Sequence, residues 1–167
     1  MNQYKLDEIR NKIKLLQDEK RYEHTLGVMY TAAALAMRYE EDVEKALLAG
    51  LLHDVAKSFS TNLGHAPMGA KIATDDFCIE DSYITDAICY HTTGRPNMTL
   101  LDKIIYVADY IEPNRNKAPN LANLRKLAFE DIDECLRNIL NDTLSYLKEQ
   151  NQEIDEMTEQ AYLYYKQ

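Results

Sequence analysis

Six side chains carry the chemistry of this sequence: His24, His53, Asp54, His65, His91 and Asp109. The four histidines are all that the 167-residue chain contains. Each falls at an expected helix end or in a loop beside one, and none sits in a polar tail. His53 and Asp54 are adjacent. They follow Leu47, Leu48, Leu51 and Leu52, an apolar run at helical spacing that should be buried. Neighbouring helix positions point about 100° apart, so both side chains can reach a metal lying off the helix end more easily than they can share one small anion. The pair alone reads equally as a buried histidine beside its own carboxylate, because two-residue motifs arise by chance. His24 alone reads as a helix-end histidine facing water. Asp109 alone reads as a solvated or capping carboxylate, but Ile104, Ile105, Val107 and Ala108 surround it in sequence. A buried carboxylate there needs a counter-charge or a metal.

Taken together, four imidazoles and two carboxylates come from five separate elements. One octahedral ion could not use all six and keep a position open for substrate. Two ions bridged by the Asp54 carboxylate could, each with about three protein ligands. Imidazole and carboxylate without thiolate suit iron, manganese, cobalt or zinc rather than calcium. Paired ions of this kind hold a bridging hydroxide and clamp phosphate oxygens, so the expected chemistry is hydrolysis of a phosphoester or phosphoanhydride.

The elements that must position these groups read as helices throughout. Leu6, Ile9, Ile13 and Leu16 form a helical stripe over about Tyr4 to Asp18. A second helix starts near Arg21 and carries His24 in its first turn, with an alanine run that permits close packing. A third covers about Glu41 to Ala56 and bears His53 and Asp54 at its C-terminal end. Ser58 to Gly64 has loop composition. His65 then precedes Pro67, which suits the first position of a helix to about Asp76. Phe77-Cys78-Ile79 has the alternation of a short strand, but no nearby segment looks like its partner. A fifth helix from about Asp81 ends at His91, stopped by Gly94 and Pro96. Thr99, with Asp102 three residues on, makes a capping-box start for an apolar and therefore central helix that carries Asp109. Leu121 to Gln150 reads as two helices broken near Asp131, and a last helix covers about Asp155 to Tyr165. The fold expected is all-α, a bundle of about eight helices.

The length suits a single domain over residues 1–167. The net charge of −9 excludes a general nucleic-acid binder and an anionic membrane surface as partners. An acidic protein can still take a polyphosphate where bound metals concentrate positive charge. Cys78, Cys89 and Cys135 are sparse, odd in number and form no CxxC pair, which fits a reducing compartment. No signal peptide or membrane span is legible, so a cytoplasmic location is expected.

The order of histidines and aspartates resembles the HD-domain phosphohydrolase superfamily. Longer strings sharpen the likeness: Glu23-His24-Thr25-Leu26-Gly27-Val28, Leu52-His53-Asp54-Val55-Ala56-Lys57, His91-Thr92-Thr93-Gly94-Arg95-Pro96, and Ala108-Asp109-Tyr110-Ile111-Glu112-Pro113-Asn114-Arg115. Together they are similar to the YqeK-type symmetrical bis(5'-nucleosyl)-tetraphosphatases of bacteria. That resemblance covers nearly the whole chain. It implies a dinuclear HD-domain bundle, hydrolysis of diadenosine tetraphosphate to two ADP by attack of a metal-bridging hydroxide, iron as the usual metal, and a homodimer. It assigns one ion to His24, His53, Asp54 and Asp109, and the other to Asp54, His65 and His91. Asp54, as the bridge, and Lys57 are the residues assigned to catalysis. Lys57 stands one helical turn past His53, facing a similar direction, where it could contact a substrate phosphate; it also reads as an ordinary C-terminal lysine favoured by the helix dipole. Arg95 and Arg115 are candidates for phosphate contact, since a guanidinium meets phosphate bidentately, or are plain loop arginines. Thr92, Thr93 and Gly94 could bring backbone close to a nucleotide.

One feature departs from the family pattern. Only Lys57 to Gly64 separates Ala56 from His65, where the family carries a longer segment. The departure leaves the metal ligands in place and bears on substrate contacts from that loop. Two other functions compete. A different HD phosphohydrolase, acting on mononucleotides or a cyclic nucleotide, would not need the His91 to Arg95 string. A helical regulatory module that binds without turnover would have no use for six complete ligands.

Overall fold

Local chemistry sets where the helices start. Asp18, Asp42, Asp81, Asp131 and Asp155 each accept a backbone N–H in the first turn that follows them, which satisfies a donor left without a partner inside the helix. Thr99 and Asp102 form the reciprocal capping box that their spacing predicts. The computed structural model describes residues 3–57 and 64–166. Among these the helices run α1 Gln3–Leu16, α2 Glu19–Arg38, α3 Val43–Leu52, α4 His65–Phe77, α5 Ser82–Cys89, α6 Leu100–Ile111, α7 Leu121–Glu130, α8 Ile132–Glu149 and α9 Glu156–Tyr165. The expected all-α bundle is present, with nine helices described against about eight expected. The loop expected over Ser58 to Gly64, and with it the short segment between Ala56 and His65, lies outside the described residues over positions 58–63.

The centre of the bundle is α3 and α6. Ala46, Ala49, Leu51 and Leu52 on α3, and Leu101, Ile104, Ile105 and Val107 on α6, are buried. Helices α2 and α5 pack on both of them, α1 leans on α3, and α8 backs α6 while carrying α7 and α9. The α2–α3 contact is the most extensive, and small residues make it so. Ala32 and Ala36 are fully buried, and a Cβ on Gly50 would lie 2.8 Å from the Met29 Cα. Only glycine lets the two backbones come that close.

Three local expectations change. Helix α3 ends at Leu52, not near Ala56, because Val55 N–H bonds the Leu52 carbonyl at 3.1 Å and Lys57 N–H the Asp54 carbonyl at 3.0 Å, the i→i+3 pattern of tight turns. Helix α4 begins at His65 rather than at Pro67; proline is tolerated there because first-turn N–H groups have no helical partner. Phe77 to Ile79 is no strand. Phe77 closes α4, Cys78 adopts a left-handed conformation with φ 55°, and Ile79 N–H returns to the Ala73 carbonyl at 3.0 Å. The apolar alternation is a helix C-cap with its flanking hydrophobic contact.

Candidate metal centre

The turn after α3 is what lets His53 and Asp54 act together. Off the helix their side chains converge, with His53 Nε2 3.7 Å from Asp54 Oδ2. Helix α2 starts at Glu19, two residues before the expected Arg21, so it is its second turn that brings His24, whose Nε2 lies 3.3 Å from His53 Nε2 and 3.9 Å from Asp54 Oδ2. Helix α6 brings Asp109, with Oδ1 3.1 Å from His24 Nε2. The other Asp54 oxygen, Oδ1, faces His65 Nε2 at 3.2 Å and His91 Nε2 at 3.5 Å. His65 comes from the start of α4 and His91 from the turn after α5. The donor atoms of His24, His53 and Asp54 lie within 4.8 Å of one another, and so do those of Asp54, His65 and His91. The structure thus brings together all six residues that the sequence singles out, in two adjoining groups that share Asp54.

The outward ring nitrogens are tied down. His53 Nδ1 donates to the Gly50 carbonyl at 2.7 Å and His91 Nδ1 to the Ile88 carbonyl at 2.7 Å. His24 Nδ1 donates to Glu112 Oε1 at 3.2 Å. A carbonyl or carboxylate can only accept, so each neutral ring presents a bare Nε2 to the centre. His24 and His53 nitrogens, Asp54 Oδ2 and Asp109 Oδ1 then converge as acceptors with no donor of their own between them. Arg21 on Asp54 and Arg115 on Asp109 offset part of the carboxylate charge from the rim, and the remaining acceptors still face one another, an arrangement that a cation among them would relieve. That donor chemistry fits a divalent metal and does not fit an anion.

Charge follows the same logic. Burial pushes His53 down to about 4, so it stays neutral and able to ligate. Burial would lower His24 too, but the Asp109 and Glu112 carboxylates outweigh it and raise its affinity for a positive charge. Burial would raise the carboxyls of Asp54 and Asp109. The imidazoles of His53, His65 and His91 hold Asp54 well below the usual carboxylate range, and His24 with Arg115 does the same for Asp109.

A cavity of about 680 Å³ opens over this cluster, and Lys20, Arg21, Lys57, Arg115 and Lys117 line it. Lys57 Nζ lies 3.2 Å from His65 Nδ1. Arg115 donates to Asp109 Oδ1 at 3.0 Å. Thr92 also lines the cavity, and its buried hydroxyl has no hydrogen-bond partner among the described residues. Thr93, Gly94 and Arg95 are placed elsewhere. The Thr93 hydroxyl bonds the Gly94 carbonyl at 2.9 Å, Gly94 packs beside Ala161 and Met98, and Arg95 pairs with Asp102 at 2.7 Å and Asp86 at 3.0 Å.

Two residues of the site escaped the sequence reading. Arg21 Nη1 donates to Asp54 Oδ2 at 2.7 Å, and Glu112, 2% exposed, orients His24. Gly27 makes room for that carboxylate, since a Cβ there would meet Glu112 Oε2 at 2.3 Å. The signal was spacing: Arg21 precedes His24, and Glu112 follows Asp109, by three residues, one helical turn.

An all-helical bundle whose turns gather four histidines and two aspartates around a shared carboxylate defines a class, the helical metal-dependent hydrolases. The chain belongs to the HD-domain family, which it matches over residues 21–114. It is 40% identical to the symmetrical bis(5'-nucleosyl)-tetraphosphatase of Bacillus subtilis (strain 168), over 85% of this chain and 87% of that protein. It is 41% identical to the enzyme of the same name from Halalkalibacterium halodurans, over 81% of this chain and 83% of that one. A crystal structure of an HD superfamily hydrolase from Clostridium acetobutylicum, described as involved in NAD metabolism, is similar at a TM-score of 0.90 and 38% identity, covering 99% of this chain and 97% of that one.

Proposed function

We propose that this protein is a symmetrical dinucleoside tetraphosphatase that splits diadenosine tetraphosphate into two ADP with two divalent ions, iron foremost and manganese, cobalt or zinc as substitutes. The observation that carries the reading is the Asp54 carboxylate, whose two oxygens face separate sets of imidazoles. His24, His53, Asp54 and Asp109 would hold one ion, and Asp54, His65 and His91 the other. When bound, such a pair supplies water activation and neutralises phosphate charge. The names of the Bacillus subtilis and Halalkalibacterium halodurans relatives support the substrate. We also infer a cytoplasmic protein that works as one HD domain, as a homodimer; among the described residues no helix is long and apolar enough to cross a membrane.

The chain's own residues supply orientation and charge. Glu112 and the Gly50 and Ile88 carbonyls fix three imidazoles with their Nε2 atoms turned to the centre. Lys57, Arg21 and Arg115, at the rim, are positioned to receive phosphate oxygens, and the Thr92 hydroxyl can donate to one. The cut needs the second phosphorus from a held nucleoside to reach the centre. A water oxygen bonds to that phosphorus, the bridging oxygen to the third phosphorus leaves with the bond's electron pair, and the water protons pass to solvent. The leaving group is ADP, a stable anion that needs little help from a general acid.

Hydrolysis in heavy-oxygen water tests this. ADP should be the only nucleotide product, with label in one of each two molecules formed. AMP and ATP in equal amounts would mean that the held nucleoside sits at another depth.

A further inference from the structure

A second cavity, about 800 Å³ and mostly apolar, lies beside the one over the metal centre along α2. Glu23 and Asn114 line both. From that shared rim Gly27, Tyr30 and Ala34 continue along one stripe of α2. Tyr30 on α2 and Phe129 on α7, 56% and 38% exposed, present two aromatic rings from different helices to this groove. Leu26 and Thr31 also line it. Solvent-accessible aromatic rings in a groove beside a polyanion site have an evident use, because the face of a nucleobase stacks on such rings.

We propose that this groove binds the base and ribose of one nucleoside of the substrate, the phosphates of which occupy the cavity over the metal centre; the proposal rests on the tetraphosphatase reading above. The order of chemistry along α2 carries it. Arg21 and His24 stand at the phosphate end. Glu23 and Asn114 stand at the junction, where a carboxylate suits ribose hydroxyls. Tyr30, Leu26 and Phe129 stand at the apolar end. Tyr30 stands six positions past His24, about 9 Å along the helix axis, a span comparable to that from the second phosphorus to the base. The Asn114 side chain donates to the Glu23 carbonyl at 3.3 Å, which ties the rim together at the point where the ribose would cross. A nucleoside seated there sets the depth that selects the second phosphorus.

Metal-loaded protein photolabelled with 8-azido-ADP should crosslink to peptides of α2 or α7 that contain Tyr30 or Phe129. Tyr30→Ala and Phe129→Ala should each raise the KM for diadenosine tetraphosphate about tenfold or more, with metal content and helical content unchanged. Tyr30→Phe, which keeps the ring, should restore the KM. Crosslinks confined to other segments, with both KM values unchanged, overturn the groove while leaving the enzyme reading intact. If wild type makes no ADP from diadenosine tetraphosphate, the enzyme reading fails, and the photolabel alone decides whether the groove holds a nucleoside. If Tyr30→Ala converts a dimer to a monomer in sedimentation without moving the KM, the groove is a contact between copies and the proposal is wrong.

Discussion

Asp54 is the residue on which the site depends, since its two oxygens are the common edge of both ligand groups. Asp54→Ala should cost both ions and essentially all activity, while His91→Ala should weaken one ion and leave the other. Elemental analysis of protein purified without oxygen checks this, with wild type approaching two metals per chain. Wild type fully active with fewer than one ion per chain would remove the dinuclear assignment. His53 makes a separate prediction for metal-free protein. Burial lowers its pKa from 6.5 to about 4, so below pH 6.5 the unfolded chain takes a proton that the folded chain refuses. Stability attributable to His53 is therefore intact above that value and falls as pH drops toward 4. Between pH 7.5 and 5 the loss is about 2 kcal/mol. His24, whose pKa is raised, works in the opposite direction, so the comparison must be with His53→Gln. Urea midpoints in chelator should fall more steeply with acid in wild type than in that variant; equal slopes would mean that His53 is not the group refusing the proton.

At the scale of elements, the segment between α5 and α6 separates structural from substrate duties. Arg95 donates through Nε and Nη2 to Asp102 Oδ2, at 3.0 and 2.7 Å, and its guanidinium lies 4.6 Å from the centre of the Tyr90 ring. Asp102 is also the capping-box acceptor for Thr99 N–H. One carboxylate thus fixes the start of α6, the helix that delivers Asp109. Arg95→Ala should lower stability by about 1–3 kcal/mol, because it leaves the buried Asp102 with less compensation. Thermal melts should record that loss while the KM for substrate stays unchanged. A raised KM at unchanged melting temperature would return Arg95 to the phosphate. The comparable duty at the other end of α6 falls to Arg125 on α7. It donates to the Ile111, Glu112 and Arg115 carbonyls at 2.7–2.8 Å, and so holds the turn that carries Glu112 and Arg115.

The whole molecule is acidic, with a net charge of −9, yet five lysines and arginines line the cavity over the metal centre. Asp18, Glu23, Asp54, Asp109 and Glu112 line the same cavity, so two bound divalent ions would be what turns this mouth positive and draws in a tetraphosphate that the general surface repels. Exposed charges are screened over about 8–10 Å at ordinary ionic strength. Raising salt from about 20 to 300 mM should therefore raise the KM several-fold with little change in kcat, and Lys57→Ala should blunt that dependence. A KM insensitive to salt would show that the mouth's cations do not steer the substrate.

What the sequence determined by itself was identity and local form. The cap at Thr99 and the helix bounds near Asp81, Asp131 and Asp155 were legible because a cap acts within a few residues. The six candidate ligands were legible because histidine and adjacent carboxylates have few other uses beside apolar runs. The tertiary structure alone decided what depends on convergence. It set the turn that ends α3 at Leu52 and turns His53 and Asp54 toward one point, a matter of i→i+3 bonds that the leucine periodicity could not reveal. It gave Arg21 and Glu112 their duties, since their partners Asp54 and His24 stand 33 and 88 residues away. It also drew Arg95 away from the cavity and onto Asp102. An arginine that follows a glycine four positions past a ligand histidine looks the same in sequence whether it meets a phosphate or a buried carboxylate; only the packing of α5 against α6 chooses between them.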